Sequence, residues 1–245
     1  MSQGLDVEKG TAKWAGQTVS VVREVARDDS HSPPAAEVIQ GNAFFDSASG
    51  SAAQRSDPCE IAIRALDVAG SVAVLFITGP AMLLIGLVIK VFCGGPVLYK
   101  QKRVGINGNI FILYKFRTMR NGAEDHTGPV LAAKDDFRVT RIGRVLRQTR
   151  LDELPQLFNV LRGDMSLVGP RPERPFFVKQ HKTLQGVRLA VKPGLTGLAQ
   201  IRSFYDLKPD HKVRYDYLYI QKRSLLLNLY ILLKTIPVIF CQKGW

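Results

Sequence analysis

Two adjacent carboxylates, Asp152 and Glu153, are the residues of this sequence best placed to do chemistry. They stand just before Pro155 and an apolar run that ends at Gly163, a pattern that predicts a helix over about 155–162. Carboxylates at the mouth of a helix face its free N–H groups and the positive end of its dipole, which favours their ionised form at neutral pH. One carboxylate can then attack an electrophile while the other holds a hard cation. The alternative is that the pair only complements the helix dipole.

A second candidate feature is Gly-Pro-Arg-Pro at 169–172, where a proline stands on each side of Arg171. A residue before proline avoids the helical region, so Arg171 is presented from an extended, rigid loop. Such a guanidinium suits bidentate capture of a phosphate, although an ordinary surface turn has the same composition. The Gly-rich turn at 192–200 lacks the Gly-Lys-Ser/Thr of a P-loop, and the chain has no G-x-G-x-x-G, so neither nucleotide-binding motif is present.

The net charge of +13 is unevenly distributed along the 245 residues. Residues 1–63 carry 5 Lys/Arg against 9 Asp/Glu, whereas residues 64–245 carry 29 against 12. The net charge of +17 on the second part predicts an anionic partner: phosphates, acidic lipid or nucleic acid. The three cysteines are odd in number and have no C-x-x-C spacing, so we expect neither a disulfide framework nor a zinc site.

Residues 1–63 have the composition of a disordered tail. They are rich in small and acidic residues, their apolar residues are scattered, and Ser-Pro-Pro at 32–34 interrupts any helix. Residues 19–25 suit a short helix or strand, and the region near Met1 has no apolar segment typical of a secretory signal. We therefore predict two parts, a tail over 1–63 and a folded domain over 64–245.

The segment 64–92 predicts a membrane helix. Lys90 is the only charged residue between positions 69 and 91, and a run of this length can cross a hydrocarbon core. Pro80, which follows Thr78 and Gly79, predicts a kink or break at the middle. The residues themselves leave a kinked span and a re-entrant helix open. The basic residues that follow are typical of a cytoplasmic segment.

The remaining segments predict a small hairpin and several helices. Strands near 97–100 and 110–114 flank a Gly/Asn-rich turn at 105–109. The helix predicted over 139–148 has a basic face that suits solvent, anionic lipid or substrate equally well. Residues 213–240 predict amphipathic helices that lie on a membrane, with Pro237 limiting the last one and with core helices as the alternative.

Six short motifs follow one another in a characteristic order. They are Gly-Pro-Val at 95–97, Lys-Phe-Arg-Thr-Met at 115–119, Asp-Phe-Arg-Val-Thr at 136–140, Leu-Asp-Glu-Leu-Pro-Gln-Leu at 151–157, Val-Gly-Pro-Arg-Pro at 168–172 and Pro-Gly-Leu-Thr-Gly at 193–197. Together they resemble the bacterial sugar transferase family, the monotopic phosphoglycosyl transferases, or polyprenyl-phosphate hexose-1-phosphate transferases. The resemblance covers residue 64 to the C-terminus.

The resemblance implies an α+β, mainly helical fold at the bacterial inner membrane. The expected parts are a re-entrant membrane helix broken at Pro80, a small β-hairpin, and amphipathic interfacial helices around an active site that faces the cytoplasm. It implies transfer of a sugar 1-phosphate from a UDP-sugar to undecaprenyl phosphate, with release of UMP, as the first membrane step of exopolysaccharide or other surface glycan synthesis. By resemblance, Asp152 is the nucleophile that forms an aspartyl-phosphosugar intermediate, and Glu153 binds the Mg²⁺ cofactor.

The expected substrate contacts are basic. Arg117 and Arg171 are the first candidates for phosphate binding, followed by Lys115 and Arg138. The chain also departs from the family's pattern. Gly79 replaces the usual Ser before the proline, where Thr78 can substitute; Arg-Ser-Phe at 202–204 replaces Gly-Arg-Asn; and Asn228 replaces an acidic residue. Asp216 and Tyr219 keep the late Asp-x-x-Tyr pattern, for which we expect a structural role.

Two other classes of function remain open from the sequence. The basic domain could be a membrane-anchored binder of anionic lipid or nucleic acid, although few aromatics accompany its basic clusters, which argues against nucleic acid. The chain could also be a scaffold without catalysis. The sequence leaves open the sugar, the glycan pathway and whether two copies form a homodimer.

Overall fold

The computed structural model describes residues 7–14, 17–24, 58–123, 136–202 and 209–240. The chain divides into two compact units, 1–53 and 54–245. In the first unit, β1 (Val7–Trp14) pairs antiparallel with β2 (Gln17–Glu24). This hairpin differs from the disorder predicted for the tail and agrees with a strand near 19–25. Its strands contain the alternating β-branched residues that favour pairing, such as Val19 and Val21.

The second unit begins with a 36-residue helix, α1 (Pro58–Cys93). It starts six residues before the predicted position 64, because Pro58 suits a first helical position and Glu60 supplies an acidic residue to the first turn. The chain stays helical through Pro80, so the proline does not end α1 where a kink or break was predicted. The Thr78 hydroxyl donates to the Val74 carbonyl at 2.7 Å, two residues before the Phe76 carbonyl, whose helical partner would be the N–H that Pro80 lacks.

Polar contacts fix both ends of α1 to the rest of this unit. Near its start, Arg64 donates to the carbonyls of Val160 and Leu161 at 2.6 and 2.7 Å. Asp67 accepts from the Ser166 hydroxyl at 2.9 Å and from a neighbouring backbone N–H. At its end, the Cys93 carbonyl accepts a hydrogen bond from Arg117 Nη2 at 3.0 Å.

The middle of α1 is long and apolar enough to cross a membrane, by length and composition. Its large side chains are exposed: Phe76 is 86% exposed and Leu83 is 79% exposed. Apolar side chains without protein cover over such a length mark a surface that contacts lipid or another partner.

The predicted hairpin is confirmed. β3 (Leu98–Val104) pairs antiparallel with β4 (Ile110–Phe116), with Leu98 opposite Phe116 and Val104 opposite Ile110. The turn between them contains a 3₁₀ segment (Ile106–Gly108), where Asn107 has φ 54° and Gly108 has φ 78°. Asn and Gly tolerate this left-handed backbone, which is why the chain reverses here.

Short helices surround the hairpin. They are α2 (Arg141–Gln148), α3 (Gln156–Arg162), α4 (Pro175–Gln180), α5 (Leu198–Arg202), α6 (Pro209–Gln221) and α7 (Leu225–Phe240). 3₁₀ segments occupy Leu151–Glu153, Lys182–Leu184 and Gly186–Ala190. A parallel pair, β5 (Ser166–Val168) and β6 (Gly194–Thr196), lies between them. The main core gathers buried side chains from α3, β5 and the two C-terminal helices, including Leu157, Met165, Val168, Tyr219 and Ile231.

The C-terminal helices match the prediction in outline. Ile231 of α7 is fully buried, whereas the apolar Leu226 and Leu233 are 78% and 68% exposed. The helix includes Pro237 and runs to Phe240, the last residue of the predicted segment 213–240. The fold is therefore mainly helical with a small antiparallel hairpin and one long apolar helix, as predicted.

Candidate active site

The acidic pair lies at the start of α3, as the sequence predicts. Arg150 adopts a left-handed conformation (φ 59°) and turns the chain out of the preceding helix. The 3₁₀ segment Leu151–Glu153 follows, Pro155 stands immediately before α3, and Gly163 ends the helix with φ 89°. Asp152 is 7% exposed in this tight turn, so the local sequence places a carboxylate in a largely enclosed position.

Glu153 is held by two cations from distant parts of the chain. Its Oε1 accepts from Lys115 Nζ at 2.8 Å and from Arg171 Nη2 at 2.7 Å. Lys115 comes from β4, and Arg171 comes from the Pro-Arg-Pro loop after β5. The structure thus brings together four of the six predicted site residues, including Asp152.

The two carboxylates have pKa values that move in opposite directions. Burial, with the neighbouring Glu153 charge, raises the pKa of Asp152 to about 6 against the attraction of Lys115. Burial alone would also raise the pKa of Glu153, but Arg171 and Lys115 outweigh it and hold that pKa well below its usual value. At neutral pH both groups are mainly ionised, with Glu153 fixed as the stable anion and Asp152 close to its titration range.

Arg117 lies elsewhere. Its Nη2 donates to the carbonyls of Cys93 (3.0 Å) and Gly94, and its Nη1 donates to Asn121 Oδ1 at 2.6 Å. The guanidinium therefore closes the C-terminal end of α1 and is not brought to Glu153. Its predicted role in phosphate binding stays a prediction.

Arg138 is also engaged away from the acidic pair. Its backbone N–H, Nε and Nη2 donate to the Asp136 carboxylate, with the shortest contact 2.6 Å, and its Nη1 donates to the Ala123 carbonyl at 3.3 Å. The predicted motif at 136–140 thus forms a local ion pair. The structure supports a role in shaping this turn, and no contact of Arg138 with the acidic pair accompanies it.

Arg147 is a site residue that the sequence did not single out. Its Nε donates to the Thr118 hydroxyl at 2.8 Å, and its charge lowers the pKa of the nearby Asp152. Arg147 belongs to the basic face of the helix predicted over 139–148, and this pattern was the only indication of it in the sequence. Arg141 and Arg144 on that face are exposed, whereas Arg147 turns inward. Part of the predicted basic face therefore faces solvent, and Arg147 lies near the acidic pair.

The Arg171 loop is held from behind by further buried residues. Arg188 Nη2 donates to the Arg171 carbonyl at 2.6 Å, and Arg188 Nε donates to Asp216 Oδ2 at 2.8 Å. Arg103 Nη1 donates to the Pro172 carbonyl at 2.9 Å. Asp216 has the structural role expected for it. The sequence offered no local signal for Arg103 or Arg188, since their partners lie 69 and 17 residues away.

The donor set suits Mg²⁺ better than a metal held by protein alone. No group of three or more His, Cys, Asp or Glu side chains gathers among the described residues. Mg²⁺ commonly takes one or two carboxylates and completes its coordination with water and substrate phosphates. Both cation contacts of Glu153 within the described chain are made by Oε1.

Comparison with known proteins gives one family. A family model described as "Bacterial sugar transferase" matches residues 59–242. A UDP-N-acetylgalactosamine-undecaprenyl-phosphate N-acetylgalactosaminephosphotransferase of Aeromonas hydrophila is 42% identical over 74% of this chain and 44% of its own length. A UDP-glucose:undecaprenyl-phosphate glucose-1-phosphate transferase of Klebsiella pneumoniae is 41% identical over 74% of this chain and 40% of its own.

A shorter relative matches nearly end to end. The uncharacterized sugar transferase EpsL of Bacillus subtilis is 39% identical over 74% of this chain and 88% of its own length. The chain thus spans less than half the length of the first two relatives, and most of the third.

Proposed function

The chain belongs to the bacterial sugar transferase family, and on that premise we propose that it transfers a sugar 1-phosphate from a UDP-sugar to undecaprenyl phosphate and releases UMP. This reaction would be the first membrane step of exopolysaccharide or other surface glycan synthesis. The proposal rests on the different contacts of the two neighbouring carboxylates, Asp152 and Glu153. Glu153 is bonded to two cations, whereas the Asp152 carboxylate makes no hydrogen bond within the described chain.

In the proposed reaction, a carboxylate oxygen of Asp152 attacks the phosphorus that carries the sugar. The bond from that phosphorus to the UMP oxygen breaks, and UMP leaves with the electron pair. An oxygen of the lipid phosphate then attacks the same phosphorus and releases Asp152 as a free carboxylate. The product is a lipid-linked sugar diphosphate, and two successive displacements predict ping-pong kinetics.

Positive charge near Asp152 offsets the repulsion between a carboxylate and a diphosphate. Lys115, Arg147 and Arg171 all lower the pKa of Asp152, so all three act on its charge. Arg171 is 39% exposed in its side chain, which lets its guanidinium reach a substrate phosphate as well as Glu153. Glu153 would hold Mg²⁺, which when bound supplies charge neutralisation at the phosphates.

The proposal includes a re-entrant α1 with both ends in the cytoplasm. A helix of 36 residues is about 54 Å long at 1.5 Å per residue, ample for a membrane. Its first turns bond to α3 and β5, and its last residue bonds to Arg117 at the end of the hairpin. Both ends contact one compact unit while the chain stays helical through Pro80, so the proposed re-entry requires α1 to bend at this proline. The exposed apolar face of α7 then suits the bilayer surface.

Asp152→Asn tests the nucleophile. We expect the purified variant to lose UMP release from UDP-sugars in the presence of undecaprenyl phosphate, and to trap no labelled phosphosugar when the lipid is omitted. The matched control is Asp164→Asn at the opposite end of α3, which pairs with Arg162 and should keep activity within about twofold. Labelled sugar that still accumulates on Asp152→Asn would show that the nucleophile is wrongly assigned.

The same assay identifies the donor sugar and the metal. A panel of UDP-hexoses and UDP-N-acetylhexosamines, each with and without Mg²⁺, should show release of UMP for one or a few donors and only with the metal. A scaffold or a simple lipid binder predicts no UMP release with any donor.

A further inference from the structure

We infer that Arg103 and Arg188, the latter held by Asp216, are positioning residues for the proposed transfer: together they fix the Pro-Arg-Pro backbone so that the Arg171 guanidinium meets Glu153. The inference rests on the proposed function for its effect on rate. Neither arginine contacts Glu153 or Asp152 in the contacts of the described residues, so each acts through Arg171.

The loop needs such support because of its composition. Pro170 and Pro172 have no N–H, so two of the three residues cannot anchor the backbone by donating. The carbonyls must serve instead, and all three are bonded. Pro170 accepts from the Gly194 N–H at 2.8 Å, Arg171 accepts from Arg188 at 2.6 Å, and Pro172 accepts from Arg103 at 2.9 Å.

Both supporting guanidiniums are enclosed. The Arg188 side chain is 5% exposed and the Arg103 side chain is 17% exposed. Burial and the nearby Arg171 charge lower the pKa of Arg103 to about 10, which shows how closely these cations are crowded. Such crowding opposes folding, and charge-bearing partners offset it. The Asp216 carboxylate accepts from Arg188 Nε at 2.8 Å, and the Glu173 carboxylate lies about 4 Å from the guanidiniums of Arg103 and Arg188.

The two hydrogen bonds of Arg188 require an arginine at this position. One guanidinium bonds Asp216 through Nε and the Arg171 carbonyl through Nη2 at the same time. A lysine ammonium keeps the charge but lacks the rigid fork that spans two acceptors. The resulting chain of contacts runs from Asp216 through Arg188 and the Arg171 backbone to the Arg171 side chain and Glu153.

The test is a double-mutant comparison in the full-length protein. Arg188→Lys should lower kcat for UMP release at least tenfold, with a smaller change in KM for the UDP-sugar. Arg171→Lys should do the same. The double variant Arg171→Lys/Arg188→Lys should be no slower than the slower single variant, because both changes remove one interaction. Asp216→Asn, which preserves shape, should reproduce the Arg188→Lys loss.

Arg223→Lys is the matched control. It replaces another largely enclosed arginine, 15% exposed in its side chain, which pairs with Glu60 far from the Pro-Arg-Pro loop in sequence. We expect its kcat to stay within twofold of wild type. Wild-type kcat in both Arg188→Lys and Asp216→Asn, or losses that multiply in the double variant, would overturn the inference.

Amide hydrogen exchange without substrate separates this inference from the proposed function. Peptides that contain the Gly169 and Gly194 amides, which bond to the Thr196 and Pro170 carbonyls, should exchange at least tenfold faster in Arg188→Lys and Asp216→Asn, and at the wild-type rate in Arg223→Lys. If wild-type protein released no UMP, the proposed function would fail, and the exchange result would still decide whether Arg188 holds the loop. Unchanged exchange in both loop variants would overturn the inference.

Discussion

At the residue scale, the main contrast is between two neighbours in sequence with opposite electrostatic environments. Glu153 points to Lys115 and Arg171, which stabilise its charge. Asp152 is buried beside that charge, so its own ionisation is unfavourable relative to water. The ionised Asp152 carboxylate therefore lowers the free energy of unfolding, and the size of this effect depends on pH.

Asp152→Asn should stabilise the protein at pH 7. A raised aspartate pKa contributes stability that is present below its unfolded value of 3.8 and is lost as pH rises through about 6. The neutral variant avoids this loss, which amounts to roughly 3 kcal/mol at pH 7 and is small near pH 4. Thermal unfolding in detergent across this range measures it.

Asp136→Asn is a control for which we expect the opposite change in stability at pH 7. The hydrogen bond from Arg138 lowers the pKa of Asp136 to about 2, so its charge stabilises the fold above 3.8 and this contribution is lost only as pH falls through about 2. This variant should unfold at a lower temperature than wild type at pH 7. A lower unfolding temperature for Asp152→Asn at pH 7 would contradict the account.

Glu153→Gln should destabilise the protein, because it leaves the enclosed Lys115 ammonium and Arg171 without their shared carboxylate. Removing one partner of a buried pair costs about 3 kcal/mol. The double variant Glu153→Gln/Lys115→Met should recover part of this loss, since it also removes the unpaired ammonium. Denaturant unfolding checks both, and a double variant less stable than the single one would count against the pairing.

At the element scale, α2 must approach the strand that carries Lys115. Its N-cap Thr140 accepts from the Gly143 N–H at 2.9 Å, and the Thr140 N–H donates to the Thr118 carbonyl at 3.0 Å. A Cβ on Gly143 would lie 2.0 Å from that carbonyl oxygen. The helix thus packs directly on the backbone, and this contact sets where Arg147 stands relative to Asp152.

Gly143→Ala should therefore disturb the site through α2. We expect a loss of about 1–3 kcal/mol from overpacking and lowered UMP release, although alanine is the better helix former. Gly86→Ala is the matched control, because its Cβ would meet Val97 at an ordinary 3.5 Å. Thermal unfolding and activity of the two variants decide the point, and an unperturbed Gly143→Ala would refute the close packing.

The elements show what sequence could and could not predict. The start of α3, its end at Gly163, the 98–116 hairpin and the place of the acidic pair depend on neighbours in sequence, and they were predicted. The partner of an arginine depends on the tertiary fold. Arg117 and Arg138 therefore turned out to bind backbone and Asp136, whereas Arg188 had no sequence signal. Pro80 was predicted to kink or break α1, but the chain stays helical there, because a helix can lose one hydrogen bond and continue.

At the scale of the whole molecule, the sidedness of α1 is the main expectation to test. In a cysteine-free background, Ser49→Cys before α1 and the exposed Lys102→Cys after it should both stay unlabelled by an impermeant maleimide in intact spheroplasts. Both should label after permeabilisation, because re-entry keeps the two positions in the cytoplasm. Labelling of Ser49→Cys alone in intact spheroplasts would instead establish a spanning helix.

The attachment of α1 has a mechanical consequence. The helix runs without interruption from Arg64 and Asp67, which grip α3 and β5, into its exposed apolar stretch. Arg117 holds the other end of the helix at Cys93, so each residue inserted between the two attachments would offset one from the other by about 1.5 Å along the axis and about 100° around it. The length of α1 is therefore matched to the unit at both ends, and an insertion would break one of the two attachments.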